Sequence, residues 1–303
     1  MKNHIYNREY ERIIKGVPIF SERDDYIKNY EVIAEDHLAC LSKNDSNPFM
    51  TSNQIQASVI AAQSMICRFL NSGESILDAG VGCGQVLKPL KNYQRYGVDI
   101  AISYLNKAKE NDIEVSMAKL EELPYRDKLF DAVISCDVLE HVFKLDQVCS
   151  QLIRVLKPGG VLIVQVPNDE DLSSYLTNTQ SYSHSHVRRF DLNSIRLYFE
   201  KCFGLQFITH EYVDYSFNIA SQMKFQTPKK EQLINELLKH ISEPISEVNV
   251  LKKLLTVNFE ELVDAIINLK DKHPEIYRTI APELVNSVEL IVVFRKKSDI
   301  SIK

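Results

Sequence analysis

From Ser75 onward the sequence alternates short apolar runs with amphipathic stretches, and this order constrains the fold more than any other feature of the chain. A succession of strand, helix and strand builds a parallel sheet covered on both faces, because each crossover must carry the chain back along the sheet before the next strand can pair. Runs rich in aliphatic and β-branched residues predict strands at Ser75–Ala79, Arg95–Val98, Glu114–Met117, Phe130–Ser135, Val161–Val166, Leu205–Tyr212 and Val288–Phe294. Helical spacing lies between them at about Gln85–Lys91, Ala101–Glu110, Leu145–Leu156 and Leu192–Cys202, the last opened by Asp191 as an N-cap.

Two regions fall outside the alternation. Residues 1–70 form an N-terminal helical or lid segment. It is polar and tyrosine-bearing at first (Tyr6, Tyr10, Tyr26, Tyr30), then helical from Asn53, where Ile55, Val59, Ala62, Ile66 and Phe69 recur on one face. The core spans residues 71–213. Residues 214–284 are expected to be a helical insertion, with Leu233, Leu237 and Ile241 on one face and Phe259, Leu262, Val263 and Ile266 on another. Such an insertion suits an acceptor pocket or a homodimer interface. Residues 285–303 supply the final core strand and a tail.

A chain of 303 residues with 45% hydrophobic content can bury a large core. Its formal net charge of −5 offers no global attraction to phosphate backbones or anionic membranes. Nucleic acid is therefore disfavoured as a partner unless Arg188, Arg189 and Lys224 form a local basic face. Six cysteines are scattered without CxxC spacing, several inside apolar runs, as expected in a reducing cytoplasm. Met1–Lys15 lacks an apolar leader core, and no stretch reaches about 18 uninterrupted apolar residues, so neither secretion nor a membrane partner is expected.

The sharpest local signal is Ile76-Leu77-Asp78-Ala79-Gly80-Val81-Gly82-Cys83-Gly84, an apolar strand running into three glycines, with a helix expected to follow. A turn without side chains lets a ligand lie against the backbone beside a helix N-terminus. Asp99 stands 21 residues beyond Asp78 at the end of the second strand, where a carboxylate can accept from both hydroxyls of a ribose. Together these describe a site for an adenosine-bearing cofactor. A nicotinamide site would carry glycine or alanine three positions after Gly82, where this chain has Gln85.

With the blocks Glu121-Glu122-Leu123-Pro124-Tyr125, Phe130-Asp131-Ala132-Val133, Asp137-Val138-Leu139-Glu140-His141 and Leu156-Lys157-Pro158-Gly159-Gly160, the chain resembles the class I S-adenosylmethionine-dependent methyltransferases of the small-molecule type. The resemblance implies a Rossmann-like α/β fold, a seven-stranded sheet of order 3-2-1-4-5-7-6 with the last strand antiparallel and helices on both faces. It implies S-adenosylmethionine as cofactor, S-adenosylhomocysteine as product, and a cofactor set of Asp78, Gly80, Gly82, Gly84, Asp99, Ile100, Leu120, Cys136 and Asp137. One departure stands out. Where the family often has an acid that contacts the adenine amino group, this chain has Lys119 followed by Leu120. Lysine cannot accept that bond, so backbone groups such as the Leu120 amide, or another side chain, must serve.

Methyl transfer from a sulfonium is an in-line displacement that needs positioning and exclusion of water more than acid–base machinery. A hydroxyl acceptor needs a base, whereas a neutral amine does not. Candidate bases are His184 and His186 in the polar loop Ser181–Phe190, and His141 after the fourth strand; each could equally brace a loop or cap a helix. Arg188 and Arg189 could hold an anionic group. No metal is expected, since two histidines without an assigned carboxylate are too few ligands. The reading is transfer to oxygen or nitrogen of a small molecule. A tRNA or protein methyltransferase, and a non-catalytic S-adenosylmethionine-binding module, are the alternatives.

Overall fold

The computed structural model describes residues 4–44, 52–170, 172, 186–216, 272 and 286–298. The expected alternation is present and is extended at its N-terminal side. Strands β1 (Arg12–Ile14) and β2 (Val17–Ile19) precede helices α1 (Asp25–Asn44) and α2 (Ser52–Phe69). Then follow β3 (Ser75–Ala79), β4 (Gln94–Asp99), α3 (Ile102–Lys109), β5 (Glu114–Met117), β6 (Phe130–Cys136), α4 (Leu145–Val155), β7 (Leu156–Pro167), α5 (Leu192–Leu197), β8 (Gln206–Ser216) and β9 (Asn286–Arg295).

The strands form one nine-stranded sheet in the order β1-β2-β5-β4-β3-β6-β7-β9-β8. Among the seven strands the sequence predicts, this is the order 3-2-1-4-5-7-6, and β9 runs antiparallel to β7, pairing Val164 with Val292 and Pro167 with Glu289. The strand count is corrected from seven to nine by the N-terminal hairpin. Ile14 pairs with Val17, leaving Lys15 and Gly16 as a two-residue turn with φ of 49° and 75°. Positive φ at both positions matches the twist of a tight hairpin. β2 then joins the sheet edge by pairing Ile19 with Met117 of β5.

Alternate residues of the central strands supply two separate cores. Leu77, Val133, Leu162 and Val292 pack with Val148 and Leu152 of α4 and with Ile195 of α5. Ile76, Ile134, Ile163 and Val293 pack with Ala62, Met65 and Ile66 of α2 and Leu105 of α3. A parallel sheet buried on both faces gives the near-continuous apolar runs seen in the sequence. It also leaves the carboxyl ends of β3, β4 and β6 as the rim where a ligand can bind.

Two further expectations change. The helix expected at Gln85–Lys91 is a set of turns, closed by the Lys88 amide on Gly84 O and the Leu90 amide on Leu87 O. Pro89 explains it: a fifth-position proline has no amide for the helical ladder and disfavours helical backbone at Lys88. The glycine turn therefore does not open onto a regular helix. The helix expected at Leu192–Cys202 is α-helical only to Leu197 and continues as a π-helical turn over Tyr198–Cys202. Its start is as expected, since Asp191 accepts from the Asn193 and Ser194 amides in a capping box.

The chain divides into two compact units, residues 1–213 with 289–303, and residues 214–288. The helical insertion expected at 214–284 lies outside the described residues, apart from the end of β8 and Lys272. No helix among the described residues is long and apolar enough to cross a membrane.

Candidate active site

The strand β3 carries Asp78 fully into the sheet and releases the chain at Gly80, whose φ is 93°. A Cβ on Gly80 would lie 2.2 Å from Val138 Cγ2, so only glycine lets this turn meet the loop that follows β6. At Gly82 a Cβ would meet nothing within 4 Å: the turn faces open space. Asp99, at the end of β4, fixes the turn. Its Oδ2 accepts from the Gly82 amide at 3.0 Å and its Oδ1 from the Ala101 amide at 2.9 Å. A carboxylate has about four lone-pair positions, so both oxygens retain capacity for ribose hydroxyls.

Asp78 is buried, and burial followed by the charge of Asp99 pushes its carboxyl up to about 8. Burial likewise raises Asp99 against the backbone amides that favour its charged form. A buried and a half-buried acid beside an open glycine turn form a place that a cationic ligand relieves and an anionic pyrophosphate would aggravate. S-adenosylmethionine, with its sulfonium and ammonium charges, fits this donor set; a nicotinamide dinucleotide does not.

Along the far edge of this rim, Leu120 is buried at the start of a 3-10 turn, Leu120–Glu122. Lys119 is turned to the N-terminal segment, its backbone amide donating to Ser21 Oγ at 3.0 Å and its ammonium pairing with Asp24. Its charge is thus matched by the N-terminal segment. That segment also sends Glu31 of α1 to the start of α3, where its carboxylate accepts from the Ile102 amide at 2.7 Å and the Ser103 amide at 3.0 Å. Ile100 sits between Asp99 and this capped start, half-buried. Of the tyrosines considered for a lid, Tyr6 is buried and stacks on Tyr125 at 5.6 Å, a packing role. Tyr26 and Tyr30 instead lie beside His141: the Tyr30 ring is 5.8 Å away and the Tyr26 hydroxyl donates to His141 O at 3.5 Å.

Opposite the glycine turn, β6 ends in Cys136, and Asp137 follows with φ of 54°. Burial raises the Cys136 thiol well above its ordinary value, and Asp78 adds to it, which shows how near the two strand ends are. Burial, then Glu289 and Glu140, raises Asp137 in the same way. Glu140 is completely buried, and His141 Nε2 lies 3.7 Å from its Oε1. The rings of His141 and His186 meet edge to face at 4.4 Å, and His186 Nδ1 is 2.5 Å from Glu170 Oε2. Burial alone would lower His186, but the bond to Glu170 and the charge of Glu140 outweigh it and raise its pKa. Behind these residues Glu289 of β9 accepts from Ser58 of α2 and Gln165 of β7.

The structure therefore brings together His141 and His186, two of the three expected bases; His184 lies outside the described residues. Arg188 and Arg189 are not aimed at a ligand as the sequence suggests. Arg188 donates to the carbonyls of Val142 and Phe143, and Arg189 pairs with Asp169. Sequence reasoning missed Glu170, Glu289 and Glu31 as parts of the site. Glu289 left a signal, since it is a lone acid inside the apolar run of the last strand; Glu170 and Glu31 left none.

Residues 77–164 match the methyltransferase domain family. Over 148 residues the chain is 32% identical to the tRNA (carboxymethyluridine(34)-5-O)-methyltransferase of Arabidopsis thaliana, a match covering 46% of this chain and 37% of that one. Over 101 residues it is 34% identical to the ubiquinone biosynthesis O-methyltransferase of Rickettsia akari, covering 31% of this chain and 40% of the relative. The chain thus spans less than half the length of either relative. In fold it is similar to a Haloferax volcanii methyltransferase solved in complex with the Trm112 methyltransferase activator, with a TM-score of 0.54 at 16% identity over 90% of this chain and 98% of that one. A Thermotoga maritima S-adenosylmethionine-dependent methyltransferase superposes with a TM-score of 0.52 at 16% identity, over 89% and 99% of the two chains.

Proposed function

We propose, from the match of residues 77–164 to the methyltransferase domain family, that the chain is a class I S-adenosylmethionine-dependent methyltransferase that moves a methyl group to an oxygen or nitrogen of a small molecule. The observation that carries the choice of acceptor is the composition of the rim opposite the glycine turn. Asp137, Glu140, Glu170 and Glu289 gather there with two histidines. Carboxyl groups offer a phosphate backbone no cationic partner, and Arg188 and Arg189 are engaged with carbonyls and with Asp169. The Arabidopsis relative's tRNA activity supports a second reading, transfer to a nucleotide base or its modified group. That reading needs a basic face supplied by residues outside the cluster. A non-catalytic binding module needs no polar cluster facing the cofactor turn, and this rim has one.

In this reading S-adenosylmethionine supplies an electrophilic methyl on a sulfonium. Asp78 matches its cationic amino group and Asp99 holds its ribose, while the Gly80–Gly84 turn gives the backbone close approach. Cys136 and Asp137 line the methionine side, and the Leu120 amide faces the adenine. Tyr26 and Tyr30 help keep water from the acceptor side. His141 and His186 orient the acceptor and take part in moving its proton.

Calorimetric titration of the purified chain with S-adenosylmethionine, S-adenosylhomocysteine and NADH tests the premise, repeated on Asp99→Ala. Expected is binding of the first two, not of NADH, weakened by about 10-fold to 100-fold in the variant, the loss of one or two charge-assisted hydrogen bonds. Tight NADH binding without S-adenosylmethionine binding would overturn it.

A further inference from the structure

Glu140 poses a problem that the methyl-transfer reading leaves open. Its carboxyl group is completely buried, and neither oxygen accepts a hydrogen bond among the described residues. A buried carboxyl group without hydrogen bonds is costly to ionise, and a cation beside it relieves that cost. The ligand atoms of Glu140, His141 and His186 all lie within 4.8 Å of one another. Metal–ligand bonds of about 2.1 Å put tetrahedral donors of a single ion about 3.4 Å apart, so the three groups would share one after closing by about an ångström, a side-chain rotation.

We propose that Glu140, His141 and His186 bind one divalent first-row transition ion, and that this ion holds an oxygen acceptor. Two imidazoles and one carboxylate form a mixed nitrogen and oxygen set that suits zinc, manganese or iron(II), not the all-oxygen shells preferred by calcium and magnesium. Glu170 completes the arrangement: its Oε2 lies 2.5 Å from His186 Nδ1, and a carboxylate on one ring nitrogen fixes the orientation of a histidine that ligates through the other. Asp137, Glu170 and Glu289 lie around the three ligands, carboxyl groups whose charged forms a dication would favour. The two histidines alone were too few for a metal, but the fold adds a buried acid from the same loop as His141. With three protein ligands, further coordination positions remain for a substrate.

The consequence for chemistry rests on the methyltransferase reading above. With both histidines engaged on the ion, a hydroxyl at an open position loses its proton to solvent water in place of either imidazole, more readily because the ion stabilises the resulting negative oxygen. The oxygen lone pair forms the new bond to the methyl carbon. The methyl–sulfur bond breaks with its electrons going to sulfur, which leaves the neutral thioether of S-adenosylhomocysteine. The acceptor class this favours is a phenol, a vicinal diol or a hydroxy acid, in preference to an amine.

The test is a titration of the chelator-treated full chain with Co²⁺, read by its visible absorption bands and by calorimetry, with S-adenosylmethionine binding measured on the same samples. Expected is one Co²⁺ per chain at micromolar or better affinity. Glu140→Gln and His186→Ala should each weaken it at least about 100-fold, and Glu170→Gln about 10-fold to 100-fold, with S-adenosylmethionine binding retained as proof of folding. Wild-type protein that binds S-adenosylmethionine but not Co²⁺ overturns the metal site and leaves the methyltransferase reading standing. Equal Co²⁺ binding by wild type and a His141→Ala/His186→Ala double variant also overturns it. Co²⁺ binding that depends on these residues, without any S-adenosylmethionine binding, supports the site and sinks the methyltransferase reading instead.

Discussion

The two sides of the rim are built in different ways. The cofactor side is made of backbone: a turn whose glycines are set by β3, fixed by one carboxylate that takes the Gly82 and Ala101 amides. The acceptor side is made of side chains that arrive from six places, Ser58, the 137–141 loop, Gln165, Glu170, His186 and Glu289. A backbone site is written in contiguous residues and can be shared across many enzymes. A side-chain site depends on which distant segments meet, and this is where one methyltransferase differs from another.

Gly80 is where the two sides touch, so changing it is the most severe way to break the distinction. Gly80→Ala forces a Cβ into Val138 at a backbone φ of 93°. It should destabilise the protein by about 2–4 kcal/mol and damage S-adenosylmethionine and metal binding together. Thermal melts and both titrations check this; loss of cofactor binding alone would show that the two sides are more independent than their contact implies.

Next in size is a pH effect to which the cofactor side contributes through Asp78. The Asp78 carboxyl is raised from 3.8 to about 8 in the folded chain. The folded state therefore holds its proton more tightly than the unfolded state does. The contribution to stability is complete below the unfolded pKa, declines as pH rises from there, and is lost as pH passes through about 8. Melting of the ligand-free protein should fall by several degrees between pH 6 and pH 9, and Asp78→Asn should flatten part of that slope. A variant whose slope matches wild type would mean that other groups carry it.

The smallest effect belongs to Lys119→Ala. Its partner Asp24 is 47% exposed, so the ion pair is well screened. The loss should be under about 1 kcal/mol of stability, with S-adenosylmethionine affinity changed by less than about threefold. A larger drop in affinity would assign the adenine edge to this lysine or to Asp24.

Much of the sheet was legible because burial on both faces writes each central strand as an uninterrupted apolar run, and the glycine turn with Asp99 fixed the ligand class. The hairpin was not legible. Its strands have three residues each, and β1 is exposed throughout, so no apolar period marks it. Its turn, Lys15-Gly16, lacks the asparagine or aspartate that usually announces positive φ. The false helix at Gln85–Lys91 came from weighing spacing above Pro89. On the acceptor side His141 and His186 could be named one by one, yet their meeting at 4.4 Å, 45 positions apart in sequence, depends on tertiary contacts that no local pattern records.

The cap that Glu31 places on α3 has a mechanical consequence. Ile102 and Ser103 are held by the N-terminal segment, while Ala101, one residue earlier, is held by Asp99. The same short stretch of backbone is thus gripped from both directions, like a splice between two ropes. A displacement of α1 pulls on the amide that steadies Asp99, so the segment preceding the core acts as a tensioner for the wall proposed to meet the ribose.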